Sequence, residues 1–438
     1  MKTKITERLI SRLWQSHLVK YPVTDTGQWL HIIFPGRVSN TGGCDFKDAV
    51  FAVNGRIISG NIEVHSRSSH WHSHGHYQNP KYNNIVLHVV WQLDSQTPTL
   101  LQNGRAIPTI CLGSFIDSPL EELVNMPANY PSSCPAAGRH SNSDNLNKLL
   151  TTAGVKRFKA KTTLFRKALN KDDAGQVVYQ GIARALGYAQ NARTCQELAR
   201  RLPVSNLIEK GKPTADFYQQ ALLLGHAGLL PSQRQRSVKD WEAAKLEKIW
   251  HSTGITETMK AADWCFFRVR PDNFPTRRLI ALSCLISRYH KSGLLRGILR
   301  LIKKAPAGTE HRWLESGLAV ASHGYWENHF DFGVFTGRAS ALIGYEKASA
   351  IVINTILPLA AAWAELDSDP KLKKKAAEIY RRYPSTGDNE LTRYMKQQLR
   401  LRPDIRLSAC QQQGLIHIFN AYCRRRNCTQ CPVALSPG

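Results

Sequence analysis

Residues 42–90 read GGCDFKDAVFAVNGRIISGNIEVHSRSSHWHSHGHYQNPKYNNIVLHVV, and they decide the fold of the first part of the chain. Phe46 to Val53 is apolar and aromatic enough for a strand. Asn54-Gly55 is a preferred pair for a two-residue type I′ turn, and Arg56 to His65 supplies the return strand. Asn83 to Trp91 (NNIVLHVVW) then reads as a buried, nearly continuous apolar strand. The same stretch is dense in chemistry: Asp45, then Glu63 two residues before His65, then His70, His72, His74, His76 and His88.

Side chains alternate along a strand, so Glu63 and His65 share a face. With a strict two-residue loop at 54–55, Asp45 lies opposite Val64 and on the other face. One extra residue in the return strand moves Asp45 opposite His65, with Glu63 diagonal to it. A glycine inside a strand often marks such a bulge, which places it at Ser59-Gly60. Without that bulge, Asp48 is the carboxylate on the Glu63 face.

At 438 residues the chain is too long for one ordinary core, so two or three domains are expected. With 42% hydrophobic and 21% charged residues it is a folded, soluble chain, not a disordered one. Its 59 basic and 33 acidic residues give a formal charge of +26, which makes a polyanion, and nucleic acid first of all, the natural partner. The first residues, MKTKITERLISRLWQ, lack the unbroken apolar core and cleavage site of a secretion signal. The most apolar segment, Ile351 to Ala362, is interrupted by Asn354 and Pro358 and is too short to span a bilayer. The expectation is a cytoplasmic protein with no membrane contact, its ten cysteines reduced or metal-bound.

Residues 5–18 have the apolar spacing of an amphipathic helix, with Glu7 on its first turn, where a carboxylate suits the helix dipole. Residues 28–34 form a first strand, and Thr99 to Cys111 a further hairpin around Asn103-Gly104. Residues 1–125 are therefore a mixed α/β domain with a central β-hairpin. Proline, serine and asparagine accumulate over 126–145, as in a linker. Residues 146–405 carry helical periodicity without a fixed repeat, and 406–438 form a cysteine-rich tail. The fold class is α+β, with the mixed domain first and a mainly α-helical region after it.

The helical region is basic. Lys156, Arg157, Lys159 and Lys161 crowd one segment. The loop RVRPDNFPTRR carries Arg268, Arg270, Arg277 and Arg278, an arrangement suited to clamping phosphate. In the tail, Cys423, Cys428 and Cys431 follow the pattern C-x4-C-x2-C. Three thiols need a fourth ligand to close a tetrahedral site, and Cys410 and His417 lie upstream of them. Zinc and an iron–sulfur cluster both suit such a set, and spacing does not choose between them.

Two resemblances follow from these words. The whole chain resembles a bacterial family known only as a domain of unknown function, through GRVSNTGGCDFKDA, GNIEVHSRSSHW, HGHYQNPKYNNIVLHVVW, ALGYAQN, LARRLP, RVRPDNFP and QQGLIHIFNAYCRRRNCTQCP. His70 departs from its pattern, which tends to have an acid before that tryptophan. The N-terminal core also resembles the PD-(D/E)XK nuclease superfamily: an acid before one strand, a turn, then Glu-x-basic on the next, behind a helix bearing a glutamate. That resemblance implies Asp45 and Glu63 as ligands of Mg²⁺ or Mn²⁺, His65 in the lysine position handling the attacking water, and Glu7 as the accessory acid. Histidine in place of lysine is a departure, because a neutral imidazole is not a permanent cation.

The leading expectation is a metal-dependent nuclease acting on DNA or RNA. A second is a transition-metal hydrolase with zinc or manganese on His65, His74, His76 or His88 and Glu63 as base. A third is a non-catalytic nucleic-acid-binding protein with a degenerate nuclease core.

Overall fold

The computed structural model describes residues 5–16, 19, 21–39, 43–53, 56–116, 134, 144–207, 215–236, 240–266, 269–402, 405–425 and 427–435. The Asn54-Gly55 turn, Arg268 and all of the expected linker except Cys134 and its last two residues lie outside them. Two compact units form. The first comprises residues 1–150, 388–405 and 415–438, and the second residues 151–387 and 406–414. The first unit is thus not contiguous, because the chain returns to it after the helical region.

In the first unit, helix α1 (Glu7–Ser16) precedes strands β1 (Leu30–Phe34), β2 (Arg37–Val38), β3 (Phe46–Val53) and β4 (Arg56–Arg67). A short helix α2 (His70–Ser73) leads toward β5 (Ile85–Gln92) and β6 (Thr109–Cys111). The strand order is β1-β3-β4-β5-β6, with β2 beside β3. Pairing is antiparallel from β1 to β4 and parallel from β4 to β6. Ile10 and Trp14 of α1 cover one sheet face, packing with Phe46, Phe51, Ile62, Val64, Leu87 and Val89. The later segments dock on this sheet: Arg424 pairs with Asp48 at 3.7 Å, and the Phe34 and Phe419 rings meet edge to face.

Two local expectations are corrected. The irregularity in the hairpin falls between Phe46 and Ala49 of β3, not at Ser59-Gly60, which pair regularly with Val50 and Ala49. Asp48 takes the left-handed conformation there, φ 59°, and its carboxylate bonds Arg37 at 2.7 Å. Asp48 therefore shapes the strand end and ties it to β2. Gly60 has another purpose: a Cβ at that position would meet Val86 Cγ1 at 2.4 Å and Asn84 O at 2.9 Å. It is glycine because β5 approaches too closely for a side chain.

The hairpin expected around Asn103-Gly104 shrinks to one bridge, Leu100 to Ala106, closed by Gly104 N–H donating to Leu101 O at 2.9 Å. Pro98 and Pro108 flank it and lack the N–H groups that would lengthen the ladder. Thr109–Cys111 instead joins the sheet parallel to β5.

The second unit is helical around one large apolar core. Its segment Tyr345–Leu366 stays helical through Asn354 and Pro358, for 22 residues. A π turn at Val352–Ile356 just before Pro358 widens the backbone where the ring has no N–H to offer. By length and composition this helix could cross a membrane, although 72% of its apolar window is buried. It thus exceeds the short interrupted segment expected from sequence.

Gly60→Ala is expected to destabilise the protein by about 1–3 kcal/mol through overpacking against Val86. Gly337→Ala, where a Cβ meets nothing within 4 Å, is expected to change it by under about 0.5 kcal/mol. Urea denaturation of both variants checks this; equal effects would contradict the close β4–β5 approach.

Candidate metal centre

Alternation along β4 sends Ile62 and Val64 into the core beneath α1, so Glu63 and His65 turn to the opposite face. Along β5 the same rule buries Leu87 and Val89 on the α1 side and turns His88 away. The parallel register sets Glu63 beside His88. Both histidines are buried, His65 at 2% exposure and His88 at 0%.

The chain leaving β4 brings more imidazoles to this face. Asp94 anchors its start, accepting from Ser68 Oγ at 3.0 Å, Ser69 N at 2.9 Å and Ser69 Oγ at 2.7 Å. These bonds hold the Asp94 carboxyl down to about 2. Trp71 is fully buried and donates its indole N–H to Leu100 O at 2.9 Å. Gly75 then turns left-handed, φ 70°, between His74 and His76. That turn lets both flanking histidines reach His65.

His74 Nδ1 and His76 Nε2 each lie 3.2 Å from His65 Nε2. The three nitrogens all fall within 4.8 Å of one another. A tetrahedral ion with metal–nitrogen bonds of about 2.0–2.1 Å spaces its ligand atoms by about 3.3–3.4 Å. The two separations from His65 Nε2 are close to that spacing, and the third lies within 4.8 Å. Behind it, His65 Nδ1 lies 2.9 Å from His88 Nε2, His88 Nδ1 lies 3.2 Å from Thr99 Oγ1, and Thr99 Oγ1 lies 2.9 Å from Thr109 Oγ1. Protons can run along this chain in either direction. In one, His65 Nδ1 and His88 Nδ1 are the donors, which leaves His65 Nε2 bare toward His74 and His76. A cation bound there would select that direction.

Burial, and then the neighbouring imidazoles, pull His65 down to about 2, His88 to about 3 and His76 to about 4. All three are neutral at physiological pH, so a metal need not displace protons from them. The Tyr82 ring packs against His76 with centroids 4.0 Å apart, fixing its plane.

The carboxylates flank this set. Glu63 is 6% exposed, and its Oε1 lies 3.6 Å from His76 Nε2. Asp45 Oδ2 accepts the Val64 N–H at 2.8 Å, while burial raises its carboxyl to about 6 despite that bond. Glu7 is half exposed and faces His70, Oε1 to Nδ1 at 3.9 Å, so it reaches the rim of the cluster and not the trio. His65, expected to handle water, sits among four other imidazoles instead.

Several expected phosphate-binding cations are turned inward. Arg277 is 0% exposed and donates to Trp326 O at 2.8 Å, His329 O at 2.6 Å and Ser340 O at 2.6 Å. Arg278, 4% exposed, donates to Leu342 O and to Tyr188 Oη. They staple loops of the second unit through its carbonyls. Arg157 donates to Gln413 Oε1 at 2.7 Å and Lys161 to Asn354 Oδ1. Lys156, Lys159 and Arg270 are exposed. Cys410 is buried in the second unit, where a Cβ on Gly154 would meet its carbonyl at 2.0 Å. It packs at a close helix contact within the second unit. His417 is half-buried on the helix Ala409–Ala421.

Sequence reading missed Thr99, Thr109 and Asp94. A threonine in a loop and an aspartate after a strand carry no spacing signal.

Acid stability follows from these shifts. Each buried imidazole has a folded pKa below the ordinary 6.5, so the unfolded chain binds more protons between about 6.5 and the folded values. Stability is then present above pH 6.5 and is lost as pH falls, by about 2 kcal/mol per imidazole between pH 7 and 5. Asp45, raised to about 6, opposes this with one group. Metal-free protein is therefore expected to lose stability from pH 7 to 5, and His88→Gln to flatten that slope in urea titrations. An unchanged slope would contradict the neutral buried cluster.

No curated protein and no solved structure matches the chain. A family model does, over residues 7–389, and its description is a protein of unknown function, DUF2851. That match takes in the sheet, the histidine cluster and most of the helical unit, and the chain belongs to the DUF2851 family.

Proposed function

We propose that the first unit is a metal-dependent hydrolase acting on the phosphodiester bonds of nucleic acid, with the ion held by His65, His74 and His76. The observation that carries this reading is the convergence of three imidazole nitrogens, with those of His74 and His76 each 3.2 Å from His65 Nε2. Nitrogen donors suit zinc, manganese, iron or cobalt better than magnesium, so a transition ion is favoured over Mg²⁺ at the carboxylates. Such an ion supplies Lewis acidity toward a phosphoryl oxygen and acidifies water.

The protein's own groups divide the remaining work. His88, through Thr99, holds the His65 ring in the tautomer that presents Nε2. Glu63, whose Oε1 lies 3.6 Å from His76 Nε2, accepts the proton of the attacking water. The base role thereby passes from His65 to Glu63. Asp45, raised toward neutrality by burial, is the second acid–base group. The net charge of +26 and the exposed Lys156, Lys159 and Arg270 support a polyanionic substrate. A carboxylate-bound Mg²⁺ is the second reading. It is favoured by the placement of Asp45, whose N–H donates to Ile62 O at 3.1 Å and whose carboxylate caps Val64, next to Glu63.

The test is cleavage of labelled single- and double-stranded DNA and RNA with Mg²⁺, Mn²⁺, Zn²⁺ and Co²⁺. Cleavage is expected with a transition ion and is expected to be lost in His74→Ala and Glu63→Gln. His88→Gln should weaken metal affinity by about 10- to 100-fold, with activity restored at high metal. Cleavage that needs Mg²⁺ and Asp45 but survives His74→Ala would establish the second reading. Binding without cleavage under every ion would overturn both.

A further inference from the structure

In the second unit, the helix Pro370–Arg382 (PKLKKKAAEIYRR) sorts its residues by face. Leu372, Ala376, Ile379 and Tyr380 are buried and join the apolar core. The outward face is cationic: Lys371, Lys373, Lys374, Arg381 and Arg382 are exposed, and the helix holds one carboxylate, the half-buried Glu378. Lys371, Lys373 and Lys374 crowd the N-terminal end, where the helix dipole favours anions and disfavours cations. Asp369 caps that end, accepting from Leu372 N at 2.9 Å, and its carboxylate also pairs with Lys303 at 2.8 Å. Helix stability alone would place acids in the first turn, and it contains none.

A cleft lies along each flank of this helix. At about 100° per residue, Lys373, Ala377 and Arg381 fall on one side and Lys371, Glu378 and Arg382 on the other, with Lys374 on the crest between them. The first cleft, of about 350 Å³, lies between this helix and residues 155–166, and Lys159 and Arg166 face Lys373 and Arg381 across it. Its one carboxylate, Glu365, is shared between Arg166 at 3.4 Å and Lys373 at 3.1 Å. The second cleft, of about 420 Å³, is lined by Lys371, Lys374 and Arg382 together with Glu310 and Glu378. Lys375 turns inward, donating to Lys303 O and Ala305 O, each at 2.9 Å. Among the described residues, the side chains of Lys159, Lys371, Lys374, Arg381 and Arg382 form no ion pair or hydrogen bond.

We propose that the outward face of Pro370–Arg382, with the clefts on its flanks, binds the phosphate backbone of nucleic acid. The inference rests on the reading of nucleic acid as the substrate, and it gives the second unit the task of holding the strand. Extent selects a polymer over a small anion. Lys371 and Arg382 stand about 16 Å apart along the helix axis, and one phosphoryl group meets only the cations nearest to it, whereas a row of phosphates meets them all. Lysines act there as point charges and arginines as forks on phosphate oxygens. Such contacts carry no base information, so binding is independent of sequence.

Fluorescence anisotropy of the full-length chain with labelled single- and double-stranded DNA and RNA, in EDTA and across a salt series, reads binding apart from cleavage. The combined variant Lys371→Gln, Lys374→Gln, Arg381→Gln, Arg382→Gln is expected to lower the slope of log affinity against log salt by about 3, for all sequences alike. A control that removes the same charge at exposed positions elsewhere in the unit, Lys171→Gln, Lys248→Gln, Lys291→Gln, Arg296→Gln, should keep the slope. Circular dichroism checks that both variants are folded. No binding by the unaltered chain, an unchanged slope in the first variant, or an equal fall in both variants would overturn the inference. Displacement of nucleic acid by inorganic phosphate or by polyglutamate at the same concentration of charge would also overturn it, and would assign the face to a small anion or an acidic protein. Cleavage assays on the same variants separate this inference from the hydrolase reading. Nucleic acid held by this face and never cleaved keeps the inference and removes the hydrolase; cleavage with an unchanged slope does the reverse.

Discussion

The structure turns on the burial of His65 among other imidazoles. A buried polar nitrogen without a partner costs about 1–3 kcal/mol, and a buried imidazolium costs more. His65 meets this constraint on one side through the chain of His88, Thr99 and Thr109. On its other side it faces His74 and His76, nitrogen against nitrogen. Two imidazoles cannot both donate along one line, and a cation between them satisfies all three at once. The proposed cation accounts in this way for the convergence of His65, His74 and His76 on one face.

The sheet makes that convergence possible. The antiparallel hairpin delivers Glu63 and His65 to one face, and the switch to parallel pairing at β5 demands a crossover. A crossover must pass over a sheet face, and here it passes over the face that α1 leaves uncovered. Trp71, Ile85, Leu101 and Ile107 form a small apolar cluster beneath it. The crossover is short, so His70 to His76 are held within reach of β4 and are not carried into a long loop. Close approach of β5 to Gly60 tightens the same arrangement.

Much of this was legible in the residues. The strand pattern of 46–53 and 56–65 was legible because alternation and an Asn-Gly pair are local signals. The shared face of Glu63 and His65 followed from period two alone. The density of histidine over 65–88 marked the site before its geometry was known. What escaped reading was non-local. The bulge lies at Asp48 because a left-handed aspartate bonds Arg37, an interaction with no sequence pattern. Gly60 read as a bulge because packing against Val86 leaves no trace in β4 itself. Arg277 and Arg278 read as a phosphate clamp because charge predicts exposure, yet backbone carbonyls from distant loops bury them.

The central claim is that His65, His74 and His76 hold one ion. Anomalous diffraction at the zinc edge, from crystals of zinc-loaded protein, tests it most directly. The account predicts a peak about 2.0–2.1 Å from His65 Nε2, His74 Nδ1 and His76 Nε2. Zinc-loaded crystals with no peak there, or with the ion seated on Asp45 and Glu63 away from these nitrogens, would contradict it.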